Sequence, residues 1–143
     1  VSRCSNNYGP YHFPEKLIPL MITRALADQS LPVYGTGENV RDWLYVEDHC
    51  RAIDLIVHNG NIGEVYNVGS GRAISIQEIL DRIIAHSGTD ITVEVDPAKL
   101  RPVEVPVIRA DISKLQADTG WQPEIPLEQT IAETLDDWKN KLK

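Results

Sequence analysis

Cysteine, methionine and phenylalanine are scarce in this sequence. Its 143 residues include two cysteines, one methionine and one phenylalanine. Cys4 and Cys50 are far apart and form no C-x-x-C pair, so neither a zinc-ribbon nor a thioredoxin-type motif is present. We expect both to be buried, reduced thiols, as in proteins of a reducing compartment.

Long hydrophobic runs are also lacking. No apolar stretch approaches the roughly 20 residues that a membrane helix needs, and no basic-then-apolar segment resembles a signal peptide. The sequence therefore predicts no membrane contact and a cytoplasmic location. The four histidines never stand at i, i+4 spacing with an acid nearby, so we expect no metal site.

Positive charge is in deficit. Fourteen Lys and Arg residues face 21 Asp and Glu residues, a net charge of −7. A nucleic-acid-binding domain needs a basic face, so this balance argues against a nucleic-acid partner. The cations are scattered singly, an arrangement that suits a small anionic ligand and equally an ordinary solvated surface.

Short strand-like and helix-like segments alternate along the chain and predict one α/β domain. After a strand end at residues 1–5, Asn6 to Pro10 has the composition of a turn. We predict strands at 31–34, 43–46, 64–68 and 91–95, and helices that begin near Pro14 and span 47–58, 75–86, 113–119 and 126 onward. The second helix has its apolar residues on one side: Cys50, Ile53, Ile56 and Val57.

Gly69-Ser70-Gly71 lies between a predicted strand and a predicted helix, as a dinucleotide-binding loop does. Two features favour a plain turn instead. Ile74 holds the position of the third glycine, and Ser75, the predicted N-cap, begins the helix beyond the turn. No other G-x-G-x-x-G is present, so the sequence predicts no cofactor loop of its own.

Two uncommon strings carry a family resemblance. Residues 5–19 read SNNYGPYHFPEKLIP and residues 41–49 read RDWLYVEDH. Both closely resemble blocks of dTDP-glucose 4,6-dehydratases, which are extended short-chain dehydrogenases/reductases of the NAD-dependent epimerase/dehydratase family. YNVG at 66–69 and TGWQP at 119–123 extend the resemblance over nearly the whole chain.

The later part of the sequence departs from that pattern. Residues 101–106 read RPVEVP, where the dTDP type has Arg-Pro-Gly-His. With GSGR at 69–72 and Asp96-Pro97, this stretch is more similar to GDP-mannose 4,6-dehydratases and GDP-4-keto-6-deoxymannose reductases. The base of the nucleotide therefore stays open between the two.

The resemblance implies the carboxy-terminal part of an NAD(P)-binding, Rossmann-like fold: a small α/β substrate-binding domain with short strands. Residues 1–143 would form a single sugar-nucleotide-binding domain. Residues 1–9 and about 41–69 would belong with an amino-terminal Rossmann half outside this sequence. The full-length protein is expected to be a homodimer that binds a nucleotide-diphosphate sugar.

Several site residues are implied by the same resemblance. Asn6 would bind the substrate near its sugar and phosphates, and Asn7 would lie nearer the nicotinamide; both could instead cap a turn. Lys16 and Leu17 would contact the substrate at a helix start, where an ammonium and the helix dipole favour a diphosphate. Tyr34 would stack on the base, or be a half-buried strand aromatic.

Four more positions complete the implied substrate site. Arg41 would bind the diphosphate through its guanidinium fork, unless it forms a salt bridge with Asp42 or Glu47. Arg101 matches an arginine of both subfamilies, and Glu104 an acid that holds ribose hydroxyls in the GDP type. Ser75 stands where the dTDP type has Asn, although its capping role alone could explain it.

The family oxidises the sugar at C4 with NAD, eliminates water and returns the hydride at C6. Its Tyr-x-x-x-Lys pair is absent, since no tyrosine here has a lysine four residues on. We therefore predict no catalytic residue in this chain, and NAD binding only by the full-length enzyme. A non-catalytic sugar-nucleotide-binding module is the alternative from another class.

Overall fold

A computed structural model describes residues 1–96 and 105–142 as short strands and helices in alternation. The helices of this part are α1 (Leu17–Leu26), α2 (Val46–Asn59), α3 (Ile76–Ser87), α4 (Ser113–Thr119) and α5 (Leu127–Lys141). Its strands are β1 (Ser2–Cys4), β2 (Asn6–Tyr8), β3 (Leu31–Tyr34), β4 (Val40–Arg41), β5 (Trp43–Tyr45), β6 (Tyr66–Val68), β7 (Ile74–Ser75) and β8 (Val93–Asp96). The predicted α/β class is confirmed.

The strands pair two by two. Strand β1 runs parallel to β6, β2 to β5, and β3 to β8, while β4 and β7 are antiparallel. Each parallel pair is joined by a crossover that contains at least one helix, as parallel pairing requires.

Two apolar clusters fill the interior. In the larger one, α1, α3 and α5 pack together through Ile18, Met21, Ile83 and Ile131, all fully buried. The smaller one surrounds Trp121 between α2, β6 and α4. These clusters hold the short strands in place, since two-stranded pairs are marginally stable by themselves.

The helix termini follow the sequence signals closely. Ser75 Oγ accepts a hydrogen bond from the Glu78 N–H at 3.1 Å, so it is the N-cap of α3 as predicted. Gly88 ends the same helix in the left-handed conformation at φ 73°. Pro126 immediately precedes α5, whose Ile131 and Leu135 are buried.

Two local predictions were wrong. Asn6 to Tyr8 was expected to be a turn, but it forms β2 because it pairs in register with Trp43 to Tyr45. The first helix was expected to begin near Pro14, but it begins at Leu17 with Lys16 as N-cap. At β2, pairing with a distant segment overrides local composition. Before α1, residues 13–16 instead form a turn in which the Lys16 N–H donates to the Phe13 carbonyl at 3.0 Å.

The apolar side of α2 is not its buried side. Asp48 and Ala52 are buried, while Ile53 and Val57 are 41% and 73% exposed. Both cysteines are also exposed rather than buried, because Cys4 lies on the uncovered strand β1 and Cys50 on the outer side of α2. Apolar side chains of both β1 and α2 are therefore exposed to solvent in the described chain.

Candidate functional site

A cavity of about 370 Å³ opens where β2 and β5 meet the start of α1. Its walls are formed by seven residues: Ser5, Asn6, Asn7, His12, Lys16, Leu17 and Trp43. Pairing of β2 with β5 places Asn6 opposite Trp43, and the loop after β2 returns the chain to Lys16. Asn6, Asn7, Lys16 and Leu17, which the sequence singled out, therefore surround one space.

Lys16 brings a positive charge to this cavity, whose described lining contains no Asp or Glu. The Lys16 ammonium is on the exposed side, at the N-terminus of α1, whose first turn contains no acidic residue. A cation and the positive end of a helix dipole both favour an anion. The cavity can accordingly hold a ligand that is rich in oxygen atoms and negatively charged.

Several polar atoms around the cavity have no hydrogen-bond partner in the described chain. They are Asn7 Oδ1, His12 Nδ1 and Trp43 Nε1, all solvent-inaccessible. Asn7 Nδ2 donates to the Ser5 carbonyl oxygen at 3.4 Å. Unpaired buried polar atoms are rare in native proteins, and each calls for an explanation, of which a functional role is one.

Arg41 lies beside this cavity rather than in its wall. Its Nη1 donates to the Val40 carbonyl at 2.8 Å and to the Val105 carbonyl at 2.9 Å. Its neighbour Asp42 accepts a hydrogen bond from the Asn6 N–H through the main-chain carbonyl, at 3.1 Å. The backbone of Arg41 is thus anchored next to Asn6, and its guanidinium also fastens the 105–108 segment to β4.

The remaining predicted residues lie elsewhere or outside the described chain. Ser75 is on β7, paired with Val40 of β4, and its hydroxyl is used in capping α3. The backbone of Tyr34 ends β3, opposite Asp96. Arg101 and Glu104 fall outside the described residues.

Asp42 is the main residue that sequence reasoning missed. Its side chain is 1% exposed. Oδ1 accepts hydrogen bonds from Ser5 Oγ at 3.2 Å and from the N–H and Oγ of Ser70 at 2.7 and 2.8 Å. Oδ2 accepts from the N–H groups of Gly71 and Ala110 at 3.0 and 3.1 Å. One carboxylate thus joins the segment that carries Asn6 and Asn7 to two other loops.

The Gly69-Ser70-Gly71 turn resembles an anion-binding loop, but the anion that it binds is the side chain of Asp42. The N–H groups of Ser70 and Gly71 that would face a phosphate are taken by Asp42. A side chain on Gly69 would place its Cβ 2.7 Å from Asp42 Oδ2. The interpretation of this segment as a structural turn therefore agrees with its contacts, and the glycine allows the close approach.

Two buried tyrosines pack behind the cavity wall. The rings of Tyr8 and Tyr45 meet edge to face, with centroids 5.8 Å apart. The hydroxyl of Tyr8 is hydrogen-bonded to Thr130, and that of Tyr45 donates to Glu133 at 3.2 Å. Burial, and then the charge of Glu133, raise the pKa of Tyr45 to about 12; burial raises the pKa of Tyr8 further. These groups are neutral anchors for β2 and β5.

The described part of the chain contains no group of three or more His, Cys, Asp and Glu side chains placed to hold a metal ion. None of its helices combines the length and apolar character of a membrane span.

The family profile described as GDP-mannose 4,6-dehydratase matches residues 1–134. The chain belongs to this family. Its resemblance to NAD-dependent epimerases/dehydratases is thereby confirmed, and the segments that carry Asn6, Lys16 and Arg41 are all within the matched range.

Individual relatives agree with the family assignment. The dTDP-glucose 4,6-dehydratase of Xanthomonas campestris is 45% identical over 144 residues, covering 95% of this chain and 41% of the relative. A dTDP-glucose 4,6-dehydratase from Bacillus anthracis, solved in complex with NAD, is 42% identical with a TM-score of 0.86, covering 97% of this chain and 44% of that one. The chain thus spans about two fifths of the length of the curated relatives it matches.

A different activity shares the same architecture. The UDP-glucose 4-epimerase of Thermotoga maritima, solved with UDP-glucose, has a TM-score of 0.93 at 28% identity. The match covers 99% of this chain and 46% of the epimerase chain. The fold is that of the carboxy-terminal part of these enzymes, as predicted, and fold alone does not separate the dehydratase from the epimerase.

Proposed function

We propose that this chain is the substrate-binding part of a nucleotide-sugar 4,6-dehydratase, and that the full-length protein acts on dTDP-glucose. The observation that carries this proposal is the cavity between β2, β5 and α1. Asn6, Asn7, Lys16 and Leu17 line it together. The segment that supplies them resembles the dTDP type, and the relatives of that name are 40–45% identical to this chain.

In this proposal three side chains of the cavity wall, and Arg41 beside it, contact the substrate. The Lys16 ammonium and the N-terminus of α1 bind the diphosphate. Asn6 offers an amide donor and acceptor to the sugar side of the ligand. Leu17 supplies the apolar edge against which a ring can lie. Arg41 adds its guanidinium at the rim, where its backbone is held beside Asn6.

NAD is assigned to the full-length enzyme, where it would accept a hydride from the sugar. The family resemblance assigns Asn7 a contact near the nicotinamide, and this residue lies in the cavity wall. The Gly69–Gly71 turn does not fit the pyrophosphate, because Asp42 already occupies its N–H groups. We therefore assign the pyrophosphate to a Rossmann half, against which residues 1–9 and 41–69 would pack.

The outer positions of the substrate site remain part of the proposal. Tyr34 would stack on the base, Arg101 would reach the phosphates, and Glu104 the ribose. Ser75 also stays in the proposed substrate site, since its strand β7 pairs with β4, the strand that carries Arg41. We further propose a cytoplasmic homodimer for the full-length protein.

A GDP-sugar dehydratase or reductase is the second candidate. The matched family profile is described as GDP-mannose 4,6-dehydratase, and residues 101–106 resemble the GDP type. The two candidate substrates share a diphosphate and differ in the base, the pentose and the hexose.

The test is a calorimetric titration of the full-length protein with dTDP-glucose, GDP-mannose and UDP-glucose, followed by turnover with NAD. We expect the tightest binding and the formation of a 4-keto-6-deoxy sugar with dTDP-glucose. Preference for GDP-mannose would favour the second candidate, and binding without turnover would favour a non-catalytic module. This chain on its own is expected to bind no NAD and to show no dehydratase activity, and stoichiometric NAD binding by it would contradict that.

A further inference from the structure

His12 is a member of the cavity wall to which no role has been assigned so far. His12 borders the 370 Å³ cavity and also a second cavity of about 170 Å³, which residues 7–12 and Val46 line. Asn7 is the other polar side chain that borders both spaces. His12 therefore stands between the proposed substrate cavity and a neighbouring space that opens next to it.

The loop that carries His12 is held in an unusual conformation. Tyr11 has a positive φ of 63°, which is uncommon for a residue with a side chain, and its own ring is 91% exposed. Gly9 has φ 141°, and a Cβ there would lie 2.7 Å from Val46 Cγ1. The His12 N–H closes the turn on the Gly9 carbonyl at 3.3 Å. This backbone turns Tyr11 outward and the next side chain, His12, inward, and such local strain concentrates at functional sites.

The two ring nitrogens of His12 have different surroundings. Nδ1 is buried and has no hydrogen-bond partner in the described chain. Nε2 is not among the buried atoms without a partner, and the ring makes no hydrogen bond within the described residues, so Nε2 is the accessible nitrogen. A proton on Nδ1 would be a buried donor without an acceptor, which is rarer in proteins than an under-used acceptor. The neutral ring should therefore carry its proton on Nε2.

We propose that His12 is a ligand-contacting residue, whose Nε2–H donates a hydrogen bond to an oxygen atom of the bound nucleotide sugar. This rests on the proposed function, since it assumes that the cavity holds such a ligand. Lys16 lies in the same wall, so the ligand groups on this side are acceptors, either diphosphate oxygens or hydroxyl oxygens of the sugar. Burial, and then the nearby Lys16 ammonium, lower the pKa of His12 from 6.5, which agrees with a neutral donor at neutral pH.

Two substitutions separate the ring nitrogens. In His12→Gln, the side-chain amide can reach the position of Nε2, whereas in His12→Asn it reaches only that of Nδ1. Each is made in the full-length protein, with His58→Gln on the exposed side of α2 as the matched control. We expect His12→Asn to weaken dTDP-glucose binding about fivefold or more, the size of one lost hydrogen bond. His12→Gln should stay within about twofold of the parent, and His58→Gln should be unchanged.

The acceptor is identified by titrating the same variants with dTDP. If His12→Asn weakens dTDP as much as dTDP-glucose, the acceptor is a diphosphate oxygen; if dTDP is unaffected, it is an oxygen of the hexose. Equal affinities of both His12 variants and the parent would overturn the proposal, and equal losses in the two would overturn the assignment to Nε2. A parent protein that binds neither dTDP nor dTDP-glucose would instead contradict the proposed function.

NMR of the unsubstituted protein tests the same proposal without relying on variants that could misfold. Histidine-selective ¹⁵N labelling distinguishes a protonated from an unprotonated ring nitrogen. We expect a proton on Nε2 of His12 and a change in the Nε2 shift when dTDP-glucose is added. A proton on Nδ1, or a ring that does not respond to the ligand, would overturn the proposal.

Discussion

The carboxylate of Asp42 accepts two hydrogen bonds from a single residue, Ser70, through its N–H at 2.7 Å and its Oγ at 2.8 Å. The two residues are 28 positions apart in sequence. With the further bonds to Ser5, Gly71 and Ala110, this contact fixes the segment that leads into Asn6 and Asn7. The cavity therefore depends on a buried negative charge that does not itself line it.

Replacing Asp42 by Asn should destabilise the protein strongly. An amide has one acceptor oxygen, and its NH₂ group would face N–H and O–H donors now bound by the carboxylate. Leaving such buried donors unpaired should cost about 3 kcal/mol of unfolding free energy. Urea unfolding of the full-length protein measures this. Asp54→Asn, an exposed carboxylate on α2, is the control and should change stability by less than about 0.5 kcal/mol. Equal effects of the two would contradict the role given to Asp42.

Gly69→Ala should be destabilising for steric reasons. The added Cβ would lie 2.6 Å from Ala110 Cβ and 2.7 Å from Asp42 Oδ2, so the Asp42 contacts would have to shift. Gly88→Ala is the matched comparison, because its site is open and only its φ of 73° opposes a side chain. That strain should cost about 1 kcal/mol, and we expect Gly69→Ala to lower the melting temperature further. A smaller effect at Gly69 would show that the turn can relax.

The sequence predicted the elements whose signals are local. The first helix was predicted from local sequence, although its start was placed too early, and Ser75 predicted the start of α3, because helical spacing and capping act within a few residues. Strand β2 was missed because its partner, Trp43 to Tyr45, is almost 40 residues away. For α2, apolar spacing identified the side that carries Ile53 and Val57 but not whether other elements cover it, and the prediction that Cys50 on this side is buried was wrong.

The candidate site was predictable only in part. Asn6, Asn7, Lys16 and Leu17 are on one short segment that resembles a known block, and they do line one cavity. Asp42 gave no comparable signal, since its five hydrogen-bond donors come from three separate segments that meet only in the fold. The Gly69-Ser70-Gly71 turn is the one indirect signal for Asp42 in the sequence, because the N–H groups of such a turn bind an acceptor.

Stability should fall at high pH because of Tyr45. Its pKa is raised from 10.0 to about 12 in the folded protein, chiefly by burial. The unfolded state loses this proton near pH 10 and the folded state near pH 12, so the stabilisation is complete below pH 10 and is lost as pH rises toward 12. Tyr45→Phe should therefore flatten the decline of melting temperature between pH 10 and 12. Tyr11→Phe, at an exposed ring, should leave the slope unchanged; the same slope in all three proteins would contradict this account.

The last prediction concerns Arg41 in the full-length enzyme. A guanidinium on a diphosphate makes charge-assisted hydrogen bonds of roughly 1.5–3 kcal/mol each. Arg41→Ala should therefore weaken substrate binding at least about tenfold, at 1.4 kcal/mol per decade. The diphosphate is remote from C4 and C6, so most of the loss should appear in KM, with a part in kcat if the contact also positions the sugar.

Arg41 also fastens a loop, since its Nη1 donates to the Val105 carbonyl at 2.9 Å, so its loss should lower the melting temperature slightly. Arg24→Ala is the matched control, because Arg24 Nε donates to the Ser30 carbonyl at 3.0 Å, near the opposite end of α1 from Lys16. It should lower the melting temperature comparably without changing KM. If Arg41→Ala also left KM and kcat unaltered while the protein lost stability, Arg41 would be a structural residue and the diphosphate would be held by other groups.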